Sequence, residues 1–357
     1  MSLPFKSHIA GLPVYQPPVP PAGVQNVVDM SSNENPLGPS PKAVQALYSA
    51  MGTVHRYPDA SSAALKTVLA AKWDVSPANV ALANGADEFV LLLCLSLVEP
   101  GDEIIMAHGS FISYLLRATE VGARVVRVPL KAYTHDLEAM AQAITDRTRL
   151  VFVCNPNNPT GTVIPTRAFE TFLDEVPANV PVVVDEAYFE YAVDADFFSS
   201  VERLRAGQDN LIVLRSFSKV YGLAGLRVGY MVASEAVIDY IERARPPFNV
   251  NRLAQVAALA ALGDSEHVRR SLEANEAARQ FFYRELAAIG LYSIPTRTNF
   301  MAVDVGRPGT EVARPLLERG FIITALDGWG LPGHIRFSFG TPEENQAFVA
   351  ALRELLS

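Results

Sequence analysis

Cysteine is scarce in this chain. Two occur in 357 residues, Cys94 and Cys154, each inside an apolar run where a thiol behaves as a small hydrophobe. Neither belongs to a CxxC pair or a Cys/His cluster, which argues against a disulfide framework and against a structural zinc site. Long hydrophobic runs are missing too. No apolar stretch approaches the roughly 20 residues that a membrane span needs, and the start, MSLPFKSHIAGLPVYQPPVPP, has no uninterrupted apolar core of a secretion signal. Basic charge is not in excess: the formal net charge is -8, with both signs interspersed, so no surface for nucleic acid or anionic membrane is expected. GxxxxGK[ST], GxSxG and HExxH strings are absent, which removes the common motif routes to nucleotide hydrolysis, serine hydrolysis and zinc proteolysis. A cytoplasmic protein with small-molecule partners, or with a second copy of itself, is the expectation.

What the chain does have is an α/β texture. Residues 1–40 are rich in proline, which disfavours regular helix or strand, and read as an extended arm. From Lys42 onward, short apolar runs alternate with helical stretches: VALA (80–83), IIMA (104–107), RVVRV (124–128), LVFVC (150–154), VVV (182–184), LIVLR (211–215) and VGYMVA (228–233). Continuous rather than alternating hydrophobicity predicts strands buried on both faces, hence a mostly parallel sheet covered by helices. After Pro246-Pro247 a helical stretch is predicted over about 254–289. Strand-like TNFMAVDV and HIRFSFG and a closing helix, ENQAFVAALRELL, follow. The expected organisation is an arm (1–40), a large domain (41–246) and a smaller α+β domain (247–357).

The polar motifs fall just past the predicted strand ends: Asn84 to Asp87 after VALA, NPNNPTG (155–161) after LVFVC, DEAY (185–188) after VVV, and SFSK (216–219) after LIVLR. Ligands of open α/β sheets bind outside the carboxyl ends of strands, so these loops should converge on one crevice. Lys219, two residues past Ser218's neighbour Phe217 and followed by glycines and Arg227 in SFSKVYGLAGLRVGY, suits an amine that bonds to a phosphate-bearing aldehyde cofactor. Asp185, ending an apolar strand, needs a positively charged partner there. Ala86-Asp87 opens an apolar helix whose first amides form an anion site, and Ser216, Ser218 and Arg227 add hydroxyls and a guanidinium. Arg336 within a strand needs an anionic partner. The string GWGLPG (328–333) fits GxGxxG, but it follows no clear strand and opens no helix, so it is set aside.

Together these motifs resemble the active site of fold-type I pyridoxal 5'-phosphate (PLP) aminotransferases, and most closely the histidinol-phosphate aminotransferases and the related aromatic aminotransferases. The resemblance runs from SSNENPLGPSP to GTPEEN. It implies a PLP enzyme in which Lys219 carries the cofactor, Asp185 faces the pyridine nitrogen, and Asn158 and Tyr188 approach its phenolic oxygen. Phe111 would stack on the ring, although Gly109 stands where relatives have proline. Arg336, Tyr15 and Asn33 would line the substrate pocket. Tyr57, in HRYPD, matches a tyrosine that completes the partner subunit's phosphate site, implying a homodimer with shared active sites, the arm packing on the small domain and the partner.

The implied reaction moves an amino group from L-histidinol phosphate or a related donor to 2-oxoglutarate. One position departs from the pattern: Thr324 stands where histidinol-phosphate aminotransferases usually place an arginine for the substrate phosphate. Either Arg252 or Arg297 compensates, or the donor is an aromatic amino acid such as phenylalanine. A PLP-dependent lyase or decarboxylase is a further alternative, because the cofactor's electron sink serves any bond at Cα aligned with it.

Overall fold

The computed structural model describes residues 3, 5–14, 16–24, 26–193, 195–197 and 199–356. In chain order its strands are β1 (Val28–Asp29), β2 (Val80–Ala83), β3 (Glu103–His108), β4 (Arg124–Lys131), β5 (Thr134–His135), β6 (Thr148–Cys154), β7 (Val182–Asp185), β8 (Leu211–Ser216), β9 (Gly229–Val232), β10 (Tyr292–Ser293), β11 (Phe300–Asp304), β12 (Phe321–Ile322), β13 (Thr324–Ala325) and β14 (His334–Ser338).

Eight of them form one sheet in the order β2-β9-β8-β7-β6-β3-β4-β5. The pairs β8/β7, β7/β6, β6/β3 and β3/β4 are parallel, while β9 runs antiparallel to both β2 and β8 and β5 is antiparallel to β4. Every run predicted as a strand in the large domain lies in this sheet. The central strands read as continuous apolar runs because both faces are covered: Val182, Val184, Val213 and Phe172 belong to one core cluster, Val183, Ile212, Leu214 and Phe89 to the other, while β4 is largely exposed or half-buried.

A second sheet, β10-β11-β14-β13, is antiparallel throughout, and the arm strand β1 pairs in parallel with β12. Met30, Phe282, Phe337 and Phe348 form its core. The single helical stretch expected over 254–289 is two helices, Arg252–Leu262 and Ser265–Ala288. Gly263 ends the first, and Asp264 starts the second by accepting a hydrogen bond from the His267 amide. Ala254, Ala257, Ala258 and Ala261 pack in the large core, as do the flanks of Val268 and Leu272, whereas Ala278, Phe282 and Leu286 pack in the small one. We therefore place the change of core within the long helix, further along than the composition change at Pro246-Pro247.

Candidate active site

Strand polarity brings the polar motifs to one edge. Cys154 and Asp185 are register partners at the ends of β6 and β7, while Ser216 and Ala83, at the ends of β8 and β2, flank Gly229. Because β9 is antiparallel, its start lies at this same edge, which delivers Arg227 beside the other loops. The result is a cavity of about 510 Å³. Asn33, Ala86, Asp87, Phe111, Asn158, Asp185, Tyr188, Ser216, Ser218, Lys219, Arg227 and Arg336 all line it. Twelve residues expected from the sequence thus meet in one place.

One of the expected residues does not line it. Tyr57 is 78% exposed and stacks on Phe248 with ring centroids 4.7 Å apart. Tyr15 lies outside the described residues.

The helix Ala86–Leu97 points its N-terminus into this edge, and no side chain caps its first amides. Close approach explains the glycines there: a Cβ on Gly229 would come within 2.6 Å of the Ala86 nitrogen, and one on Gly85 within 2.6 Å of Arg227 Nη2. Free amides, the hydroxyls of Ser216 and Ser218 and the Arg227 guanidinium suit a phosphate. The Asp87 carboxylate turns away to accept from Ser113 Oγ and, at 3.0 Å, from Arg117 Nη2. Its contribution is the backbone at the helix start.

Burial shapes the charges. Asp185 is 4% exposed, and burial pushes its pKa up to about 6, partly offset by hydrogen bonds from Tyr114 Oη (2.8 Å) and the Ala187 amide (3.1 Å). Lys219 is pushed down to about 8, first by burial and then by the positive charge of Arg336, and its Nζ donates to the Ser32 carbonyl at 3.0 Å. An amine so shifted has a substantial neutral, nucleophilic fraction near neutral pH. Tyr188 Oη accepts from Asn33 Nδ2 at 2.8 Å, and Asn33 is fixed in turn by Ser338.

Arg336 is 5% exposed, and its ion pairs with carboxylates are absent among the described residues. Its Nη1 donates to Asn158 Oδ1, leaving the Asn158 amide nitrogen as that side chain's donor, while Nη2 donates to the Ser31 carbonyl (2.5 Å) and Thr324 Oγ1 (3.1 Å). Burial pulls the guanidinium down to about 10. A buried cation satisfied only by neutral acceptors and facing a cavity is built to take an anion. Arg252 and Arg297 do not line the cavity; Arg252 Nη2 is engaged with the Tyr57 carbonyl at 2.7 Å.

Three lining or supporting residues were not anticipated. Tyr114 lies three residues beyond Phe111 on one helix turn, the spacing that could have revealed it. Asn157 secures the NPNNPTG loop by donating to the Gly109 carbonyl (3.0 Å) and Thr160 Oγ1 (2.8 Å) and accepting from Ser110. Trp329, inside the discounted GWGLPG string, lines the cavity with its ring centroid 5.5 Å from the Arg336 guanidinium carbon. That string is a short helical turn followed by a bend, not a strand-to-helix phosphate loop.

A mostly parallel α/β sheet bearing an amine, a carboxylate and a guanidinium at one edge, with an uncapped helix between them, is the build of a fold-type I aminotransferase. The profile of the family described as aminotransferase class I and II matches residues 25–352, and the chain belongs to that family. Histidinol-phosphate aminotransferase from Moorella thermoacetica is 48% identical over 335 residues, covering 94% of this chain and 87% of that protein. Histidinol-phosphate aminotransferase 2 from Hydrogenovibrio crunogenus is 43% identical over 357 residues, 98% of this chain and 95% of its own length. Among solved structures, histidinol-phosphate aminotransferase from Sinorhizobium meliloti in complex with pyridoxal-5'-phosphate superposes with a TM-score of 0.91 over 100% of this chain and 98% of that one, at 30% identity.

Proposed function

We propose that this chain is a PLP-dependent aminotransferase that takes an amino group from L-histidinol phosphate and passes it to a 2-oxo acid, 2-oxoglutarate being the expected acceptor. The observation that carries the reading is the meeting of Lys219, Asp185 and Arg336 in one cavity at the strand ends. The names of the relatives supply the donor.

When bound, PLP supplies an electron sink for negative charge developing at the donor's Cα. Asp185 holds the proton on the pyridine nitrogen. The uncapped amides of Ala86 and Asp87, with Ser216, Ser218 and Arg227, hold the phosphate. Phe111 would cover one face of the ring, and Tyr188 and Asn158 would donate toward its phenolic oxygen. Lys219 Nζ would hold the cofactor through its aldehyde carbon, with loss of water, and, once displaced by the donor's amine, would move the proton at the donor's Cα. Arg336 would orient the donor through its anionic group, with Asn33 on the pocket wall. Tyr57, exposed in this chain, reaches the phosphate site of a second copy, so the working form is a homodimer in the cytoplasm.

Thr324 favours a second reading, because it places a neutral hydroxyl, rather than a second cation, 3.1 Å from Arg336. An aromatic amino acid bound through its carboxylate then becomes the donor. Single-turnover stopped flow of the PLP-loaded protein with L-histidinol phosphate and, separately, L-phenylalanine decides between them. Faster conversion of the cofactor to its amine form by the phosphate ester supports the main reading. Faster conversion by phenylalanine replaces it with the second, and conversion by neither refutes both donors.

A further inference from the structure

Tyr114 is fully buried on the helix Ile112–Glu120, and its ring lies flat on Phe152 of β6, with centroids 4.6 Å apart and planes 5° from parallel. The ring therefore cannot swing without breaking the packing on both sides of it. Its hydroxyl meets the site carboxylate: Oη donates to Asp185 Oδ2 at 2.8 Å. The other carboxylate oxygen, Oδ1, accepts from the Ala187 amide at 3.1 Å. One donor on each oxygen fixes the plane of the group and still leaves acceptor lone pairs for a ligand.

We propose that Tyr114 is a positioning residue for the reaction, fixing the orientation and the charge of Asp185 where that carboxylate meets the ring nitrogen of the cofactor. The inference rests on the function proposed above.

The surroundings explain why such a donor is required. Burial disfavours the ionised form of Asp185, and two neighbouring carboxylates add to that: Asp87 from the helix Ala86–Leu97 and Glu186 on its own strand end. Asp87 is partly compensated by Arg117, and Glu186 is paired with Arg215. Cys154, alongside on β6, is held neutral by burial. Lys219 is the cation facing Asp185 from beyond β8, and in the function proposed above its amine would be taken up by the cofactor aldehyde. That leaves the Tyr114 hydroxyl and the Ala187 amide to keep the carboxylate charged. Only the hydroxyl can be removed by substitution without touching the backbone.

The test is Tyr114→Phe, which keeps the ring and its stacking on Phe152. Dissociation constants are measured for PLP and for an analogue with carbon in place of the ring nitrogen, against wild type, with thermal unfolding as the control for folding. The expected result is about tenfold weaker binding of PLP, the worth of one hydrogen bond to a charged group, and a change within about twofold for the analogue. The midpoint of the pH-dependent change in the visible absorbance of the loaded protein should also move upward, because a less protonated ring nitrogen makes the bond to Lys219 less acidic.

Equal weakening for both compounds would show that Tyr114 only supports the packing, and unchanged PLP binding would show that Asp185 does not need it; either overturns the inference. A wild-type protein without visible absorbance dependent on Lys219 would instead refute the proposed function. Should Tyr114→Phe fail to fold, 3-fluorotyrosine at position 114, a stronger donor of the same shape, must shift the absorbance midpoint downward. An upward shift or none contradicts the proposal.

Discussion

Gly85→Ala tests the construction of the phosphate site without removing any group that makes it. Gly85 precedes the helix Ala86–Leu97 with φ 87° and ψ 165°, a region that side-chain-bearing residues almost never occupy, at a cost of about 1–3 kcal/mol. With an unfolding entropy of about 2.1 cal/mol/K per residue, that cost lowers the melting temperature by only about 1–4 °C in a chain of this length. The larger effect is local. The added Cβ would stand 2.6 Å from Arg227 Nη2 and 3.2 Å from its Cζ, so the guanidinium must withdraw. Losing one hydrogen bond to a charged phosphate oxygen costs about 1.5–3 kcal/mol, or about 10- to 150-fold in PLP affinity. Equilibrium dialysis of PLP against wild type, Gly85→Ala, Arg227→Ala and the double variant reads this directly. The double variant should bind no more weakly than Arg227→Ala alone. Wild-type affinity in Gly85→Ala, or fully additive losses in the double variant, would refute the link between the glycine and the arginine.

The remaining predictions concern buried charge and the donor. Glu186 accepts from Arg215 Nε at 2.8 Å in an ion pair exposed by 1% or less on either side, with the guanidinium carbon 4.1 Å from the Trp73 ring centroid and 3.5 Å from that of Phe189. Glu186→Gln should destabilise the fold by about 3–5 kcal/mol in chemical denaturation, because it removes the paired carboxylate of a buried cation and leaves only the attraction of Glu190, and adding Arg215→Met should recover most of the loss. Lys219 has its folded pKa depressed to about 8 from an ordinary value of 10.5, so in the folded cofactor-free protein the amine sheds its proton at a lower pH than in the unfolded chain. The rate of PLP capture should therefore rise about tenfold per pH unit below that value and level off above it. The same shift makes Lys219's contribution to stability unfavourable below pH 8 and lets it improve as pH rises from about 8 toward 10.5, where the unfolded chain holds more protons. Asp185 works the other way: with its folded pKa raised from 3.8 to about 6, the folded state binds the extra proton, and stability falls as pH rises across that window. Thr324→Arg sets a second cation beside Arg336 and should raise the kcat/KM ratio of phosphorylated over unphosphorylated donors about tenfold or more. An unchanged ratio would show that this position does not face the substrate.

Most of the large sheet was legible because strands such as β2, β6 and β8 are buried on both faces, so that VALA, LVFVC and LIVL carry no polar interruption to blur them. The two-residue strands were not. Val28–Asp29, Thr134–His135 and Thr324–Ala325 are too short to show a period, and while Thr134–His135 closes a tight hairpin on Lys131, Val28–Asp29 pairs with Phe321–Ile322, remote in sequence. The break in the helical stretch at Gly263-Asp264 was written in a glycine and a capping aspartate, but alanine-rich flanks masked it. At the site, Asp185 stood out because a carboxylate ending an apolar strand is costly without a partner, Arg336 because an arginine within a strand needs one, and Lys219 because of the serine- and glycine-rich string around it. Tyr114 did not stand out, since a tyrosine among apolar residues reads as core, and only the fold shows that its hydroxyl reaches Asp185. Trp329 was hidden for another reason: the glycines around it suggested a phosphate loop, while its position on the cavity wall follows from the pairing of β13 with β14.

Borohydride reduction of the PLP-loaded protein, followed by peptide mapping, tests the central claim most directly. A stable covalent label is expected on Lys219 alone, with loss of amino transfer in proportion to labelling. A label on another lysine, or full activity after Lys219 has been labelled, would contradict it.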